Sequence, residues 1–164
     1  LERRNIKAAV RASKATGAVI ASHTIGGRAA LEELSLLEEQ GLALDKFIWV
    51  HASSEPDQDY HQEAASRGAY VEFDAIGQPG VNQEELASAV VFMIEKGYGD
   101  RVLLSHDAGW FQPGNPGGKP DHGIRGYTAL TEDFIPLLKD KGMENQTITL
   151  LTEENPKQAF ALTR

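Results

Sequence analysis

His23, His51, Asp74 and Asp107 each stand at or near the end of a short apolar run: AVIASHT (18–24), FIWVH (47–51), AYVEFDAIG (69–77) and RVLLSHD (101–107). Imidazole and carboxylate groups hold divalent metals without any cysteine, and the same groups move protons. The intervals between the four residues are 28, 23 and 33 positions, each the length of one strand, one helix and their turns. A single histidine at a strand end is more simply a hydrogen-bonded side chain. Two in consecutive units, with Asp107 in the fourth, favour metal ligation by His23, His51 and Asp107. A carboxylate at 107 could also be a helix cap or turn residue. As a ligand it would accept a proton from water whose pKa a metal lowers to roughly 7.

The neighbours of these residues sort by strand parity. Side chains alternate faces along a strand, so His106 and Asp107 cannot both face inward. Asp107 is assigned the inward position and His106 is expected against a helix. Asp74 is expected either to orient a ligand through a hydrogen bond or to serve in a turn. His61 lies among polar residues in DQDYHQEAASRG (57–68) and is expected to be solvent-exposed. Trp110, His122 and Arg125 belong to a Gly/Pro-rich stretch from about Ala108 to Gly126. Long loops of that kind form lids and substrate pockets, so the three are candidate substrate contacts, with a plain surface loop as the alternative.

Helical periodicity fills the gaps between the runs. LERRNIKAAVRASKATG, RAALEELSLLEEQG (28–41), DQDYHQEAASRG (57–68) and NQEELASAVVFMIEKG (82–97) are amphipathic and each closes on a glycine, the usual helix stop. Asn82 is a natural N-cap. After the long loop a helix is expected near Thr128–Lys141, then a short segment Glu144–Leu151 and a helical piece starting at Asn155-Pro156. Strands alternating with helices imply βαβ units and a parallel sheet. In β/α barrels the functional residues sit at the C-terminal strand ends. A doubly wound open sheet also binds beyond the carboxyl ends, but no glycine-rich phosphate fingerprint follows any strand here. A full barrel needs about 250 residues and only four strands are evident. The fold class is therefore α/β, a half barrel or part of a longer barrel, as one partial domain over 1–164 with two unpaired sheet edges.

Composition narrows the partners. The formal net charge is −8, which disfavours nonspecific nucleic-acid binding. There is no cysteine, so any metal site uses His and carboxylates. No apolar run approaches the length that crosses a membrane and no signal peptide is evident, so a cytoplasmic location is expected. The chain does not begin with Met, and an upstream segment, with any targeting signal, is expected to exist.

The segments ASHT, WVHASSEPD, SHDAGW and LTEENPKQAFAL, in this order and spacing, resemble the phosphotriesterase-related group of the amidohydrolase superfamily, which includes phosphotriesterases and phosphotriesterase-like lactonases. The resemblance covers nearly the whole chain. It implies a (β/α)8 TIM barrel with a two-metal centre, commonly zinc. His23 matches the fifth-strand histidine, His51 the sixth-strand histidine and Asp107 the eighth-strand aspartate. The family's first-strand HxH pair has no counterpart, since no HxH occurs here. Its fourth-strand bridging lysine or glutamate would lie before Leu1. The chain thus resembles the C-terminal half of such a protein, strands five to eight. Ser53, Ser54 and Glu55 stand where phosphotriesterases carry a relay aspartate, and Ala75 stands where a histidine or arginine often follows the seventh-strand aspartate.

The resemblance implies a metal-dependent hydrolase of esters, lactones or phosphotriesters in the complete barrel, using metal-bound hydroxide with Asp107 taking the proton and two divalent ions, zinc by preference. The chain alone is expected to be inactive. The alternative is a non-catalytic half-barrel module that forms a homodimer or pairs with its missing N-terminal half.

Overall fold

Each apolar run becomes a strand in the computed structural model, which describes residues 2–109, 114 and 126–162. The order is α1 (Glu2–Thr16), β1 (Ile20–His23), α2 (Gly27–Glu39), β2 (Phe47–Val50), α3 (Gln58–Ser66), β3 (Tyr70–Phe73), α4 (Gln83–Glu95) and β4 (Val102–Leu104). The strands are shorter than the apolar runs because their last residues bend into loops. Beyond 126 the chain is helical: a π-helical turn over Leu130–Phe134 runs into α5 (Ile135–Asp140), then α6 (Asn145–Thr149), a second π-turn (Leu150–Glu154) and α7 (Asn155–Ala159). Pro136 and Pro156 each fall at the start of the helix that follows a π-turn. A proline ring clashes with the carbonyl four residues back, and the wider turn gives it room. The segment 144–151 is thus helix, part of a nearly continuous run to Ala159.

The four strands form one sheet in the order β1-β2-β3-β4, every pair parallel. Sequential order with no reversal is barrel topology, whereas a doubly wound sheet reverses at a switch point. The two faces of the sheet are unequal, as half a barrel requires. Phe47, Trp49, Val71, Phe73 and Val102 join the main core with Leu34, Leu37, Val90, Met93 and Leu138 from the helices. The apolar cluster on the opposite face is small, Ile48, Tyr70, Leu103 and Ala159, flanked by Val19 and Val50. The alternation is strict, odd positions of β2 toward the helices and even ones toward the lumen. The chain is the half of a β/α barrel that its strand spacing predicts, with β1 and β4 at the edges.

Caps fix where the helices start. The Asn82 side chain accepts hydrogen bonds from the backbone N–H of Glu84 and Glu85, as the sequence predicts for an N-cap. Asp57 accepts from Asp59 N at the start of α3. The first amide of α2, Gly27 N, donates to Glu55 Oε2 at 2.7 Å, which ties the loop after β2 to the loop after β1. Gly27 packs on the Tyr60 ring so closely that a Cβ there would lie 2.2 Å from Tyr60 Cγ. No helix among the described residues is long and apolar enough to cross a membrane.

Candidate metal centre

The C-terminal ends of the strands converge on a cavity of about 370 Å³ lined by His23, Ile25, His51, Ser53, Asp74 and Asp107, among others. His23 is the last residue of β1 and faces the lumen with Val50, its register partner on β2. His51 follows β2 directly, and parity alone would turn it toward the helices. Its backbone instead adopts φ 68°, a left-handed conformation, and this swings the ring into the lumen. Asp107, on the lumen parity of Leu103 and Ser105, also has a positive φ, 40°. These two are the only non-glycine residues with positive φ among the described residues. Such conformations cost on the order of 1–3 kcal/mol and cluster where function demands them.

The two imidazoles meet edge to face. His51 Nε2 lies 2.9 Å from His23 Nδ1, and the ring centroids are 4.1 Å apart at 74°. Asp74 fixes the pair from below. Asp74 is 3% exposed; its Oδ2 lies 2.5 Å from His51 Nδ1 and accepts from His51 N at 2.9 Å. Ser53 Oγ donates to Asp74 Oδ1 in a short hydrogen bond. A carboxylate can only accept, so Nδ1 of a neutral His51 carries the hydrogen and Nε2 keeps its lone pair. That lone pair points at His23.

Two imidazole nitrogens on one tetrahedral zinc, each about 2.0–2.1 Å from the ion, lie about 3.3 Å apart. The observed 2.9 Å is within a few tenths of that, so the pair fits two ligands of one ion after a slight opening. Among the described residues no group of three or more His, Asp and Glu side chains is disposed to hold one metal ion. The set His23, His51 and Asp107 therefore divides: the histidines converge, and Asp107, exposed at the mouth, shares their cavity without joining them. Asp107 follows β4, two strands beyond β2, and neighbouring strands are about 4.8 Å apart.

Two histidines differ in setting. His106 faces away from the lumen as expected: its Nε2 accepts from Leu130 N at 3.1 Å, and its ring packs on Tyr127. The expectation for His61 is wrong. It is 1% exposed, wedged between Trp49 and Phe73 at centroid distances of 5.3 and 5.2 Å, with Nε2 2.8 Å from Ala52 O. Its place on the buried face of α3 was visible in the spacing of His61, Ala64 and Ala65, which is i, i+3, i+4. Polar neighbours in sequence hid that face. Trp110, His122 and Arg125 lie outside the described residues.

Glu72 is a residue that sequence reasoning missed. It shares the lumen face with Asp74 by strand parity, and it accepts from Ser105 Oγ at 2.7 Å. Burial raises its pKa above the ordinary carboxylate value; the Ser105 hydrogen bond opposes this and the Asp74 charge reinforces it.

The model of the phosphotriesterase family matches residues 1–160. The chain is 29% identical over 163 residues to an aryldialkylphosphatase of Saccharolobus solfataricus, covering 95% of this chain and 52% of the relative. It is 30% identical over 167 residues to a phospho-furanose lactonase of Mycoplasmopsis synoviae, covering 98% and 46%. The phosphotriesterase structure from Mycobacterium tuberculosis superposes with a TM-score of 0.84 at 27% identity, over 98% of this chain and 51% of that one. The chain spans about half the length of the curated relatives it matches. Sequential parallel strands, ligand-type residues at their carboxyl ends and a family match across nearly every residue lead to one conclusion: this chain belongs to the phosphotriesterase family.

Proposed function

We propose that this chain carries half of the active centre of a metal-dependent hydrolase acting on esters, lactones or phosphotriesters. The observation that carries the reading is the convergence of His23 Nδ1 and His51 Nε2 to 2.9 Å at the carboxyl end of the sheet. His23 and His51 would hold one divalent ion, zinc by preference, and Asp107 would serve a second. The two-strand offset of Asp107 from β2 supports this division. Bound metal supplies Lewis-acid polarisation of the oxygen under attack and makes water more acidic. Asp74 keeps the proton of His51 on Nδ1 and so presents Nε2 to the lumen. Ser53 holds Asp74 in turn. Asp107, at the open mouth, takes a proton on its carboxylate. Ile25, Ala75 and Val81 give the same cavity an apolar wall for the organic part of a substrate. The relatives named as an aryldialkylphosphatase and a lactonase support the substrate classes. Trp110, His122 and Arg125 remain proposed substrate contacts.

A second reading, a half-barrel module that pairs with a complementary half or with a second copy, is favoured by the thinly covered lumen face and the two open edges. It concerns assembly and is compatible with the first. The test is zinc titration of the chain followed by calorimetry and histidine-ring NMR, with His23→Ala alongside. The expected result is one ion bound through the His23 and His51 rings, with affinity at least tenfold lower in His23→Ala. Equal zinc affinity in the variant would sink the assignment.

A further inference from the structure

Helix α2 starts without a cap of its own. Its N-cap position is Gly26, which has no side chain to accept a hydrogen bond, and its first turn holds no acidic residue. The acceptor comes from 28 positions further along the chain: Glu55 Oε2 accepts from Gly27 N at 2.7 Å. The other oxygen, Oε1, accepts from Asp57 N at 2.9 Å. Both oxygens of Glu55 are thus engaged, and its negative charge sits at the positive end of a helix. Ser53 and Ser54 line the candidate metal centre, whereas Glu55 does not. Any service of Glu55 to that centre therefore runs through the backbone.

The backbone route is short. Glu55 closes the turn that opens at His51: Ser54 N and Ser54 Oγ both donate to His51 O, at 3.0 and 2.7 Å, and Glu55 N donates to Ala52 O at 3.0 Å. The turn stands on the left-handed backbone of His51, a conformation that persists only where its surroundings hold it. Asp74 holds the His51 end, accepting from His51 N and facing Nδ1. The Glu55–Gly27 bond holds the far end, on the segment that follows His23. Two other bonds join the same regions: Thr24 N donates to Val50 O at 3.2 Å, and Trp49 Nε1 donates to Thr24 O at 2.8 Å. Both end on β2 itself, and neither reaches the turn. We propose that Glu55 is a positioning residue of the metal centre: by capping α2 it holds the left-handed corner that brings the His51 ring to His23. The consequence for metal binding rests on the proposed centre, whereas the hold on the corner does not.

The experiment compares Glu55→Ala and Glu55→Gln with the parent in the full chain, by histidine-ring NMR without metal and then by zinc titration. Alanine removes the cap, whereas glutamine keeps an oxygen for Gly27 N. Without metal, the nuclear Overhauser contact between the His23 and His51 rings is expected in the parent and in Glu55→Gln and is expected to vanish in Glu55→Ala. With zinc, affinity should fall about tenfold or more in Glu55→Ala and stay within about threefold of the parent in Glu55→Gln, as for a residue that orients a ligand from behind. Asn155→Ala removes hydrogen bonds to Gly99 and Val102 at the opposite end of the sheet, so it measures lost stability alone and should keep both readouts. A Glu55→Ala chain that unfolds at lower urea yet keeps the ring contact would make Glu55 a helix cap only and overturn the proposal. So would loss of the contact in Asn155→Ala, or its absence from the parent. A parent that shows the contact but binds no zinc would sink the metal reading and leave the ring contact to judge Glu55.

Discussion

Replacing Asp74 by Asn changes one oxygen to an NH2 and tests how the histidine pair is set. Asp74 receives three donors, the backbone N–H and Nδ1–H of His51 and the hydroxyl of Ser53, while only 3% exposed. An amide has one acceptor oxygen. If that oxygen stays with Ser53, the NH2 faces His51 N and Nδ1, and donors oppose donors. A buried unsatisfied donor costs about 1–3 kcal/mol. His51 can relieve part of this by moving its proton to Nε2 and accepting the amide at Nδ1. Nε2 then loses the lone pair that faces His23. Two effects follow. Unfolding stability should fall by about 1–3 kcal/mol, read from urea midpoints at constant m-value. Zinc affinity should fall by about 10- to 100-fold, the usual consequence of removing a hydrogen bond behind a metal-bound imidazole. Ring-nitrogen NMR reports the tautomer directly. A variant that keeps the hydrogen on Nδ1 and binds zinc within threefold of the parent would refute the reasoning, because Asp74 would then be a packing residue only.

Other expectations can be checked by denaturation. Glu72 has a raised pKa through burial, so its contribution is fully present below its unfolded-state pKa and is lost as pH rises through the folded value. Glu72→Gln should therefore gain stability over the parent at neutral pH, with the gap closing as pH falls toward about 4; an unchanged gap across that range would contradict the burial argument. Asn155 is fully buried, and its Nδ2 donates to the carbonyls of Gly99 and Val102 at 2.7 and 2.8 Å. Asn155→Ala strands both acceptors and should cost about 2–4 kcal/mol in urea, whereas a loss below 0.5 kcal/mol, the ordinary surface level, would show that water replaces it. Gly27→Ala should destabilise by about 1–3 kcal/mol through the clash with Tyr60, and most of that loss should disappear when Tyr60→Ala is the background.

Much of the architecture was legible because β/α units write themselves twice, once as apolar runs and once as helical periodicity closed by glycine. The positions of β1 to β4 and the Asn82 cap followed from local signals alone. The spacing of His23, His51, Asp74 and Asp107 placed all four on one rim, and all four line one cavity. What the sequence withheld depends on contacts between elements. His61 looked exposed because its neighbours in sequence are polar, whereas Trp49 and Phe73, which enclose it, come from two other elements. Glu72 was passed over as a strand residue, although parity with Asp74 put it in the lumen. The left-handed backbones at His51 and Asp107 have no one-residue signature, and without them parity would send His51 to the wrong side. The π-turns before Pro136 and Pro156 arise from a proline clash that periodicity does not register.

Those left-handed conformations also restrict redesign. In the proposed metal centre, exchanging the side chains at 51 and 107 would be the obvious way to retune metal preference, and coordination chemistry alone would allow many exchanges there. The main chain allows few. Histidine, aspartate and asparagine tolerate positive φ far better than most side chains, and β-branched residues scarcely tolerate it. Asp107→Asn changes charge while sparing the backbone, but a β-branched residue such as Thr at 51 would be resisted by the chain before any ion arrived. At these two corners the repertoire of donor atoms is set by peptide geometry, and a library built there should begin from the few side chains the turn accepts.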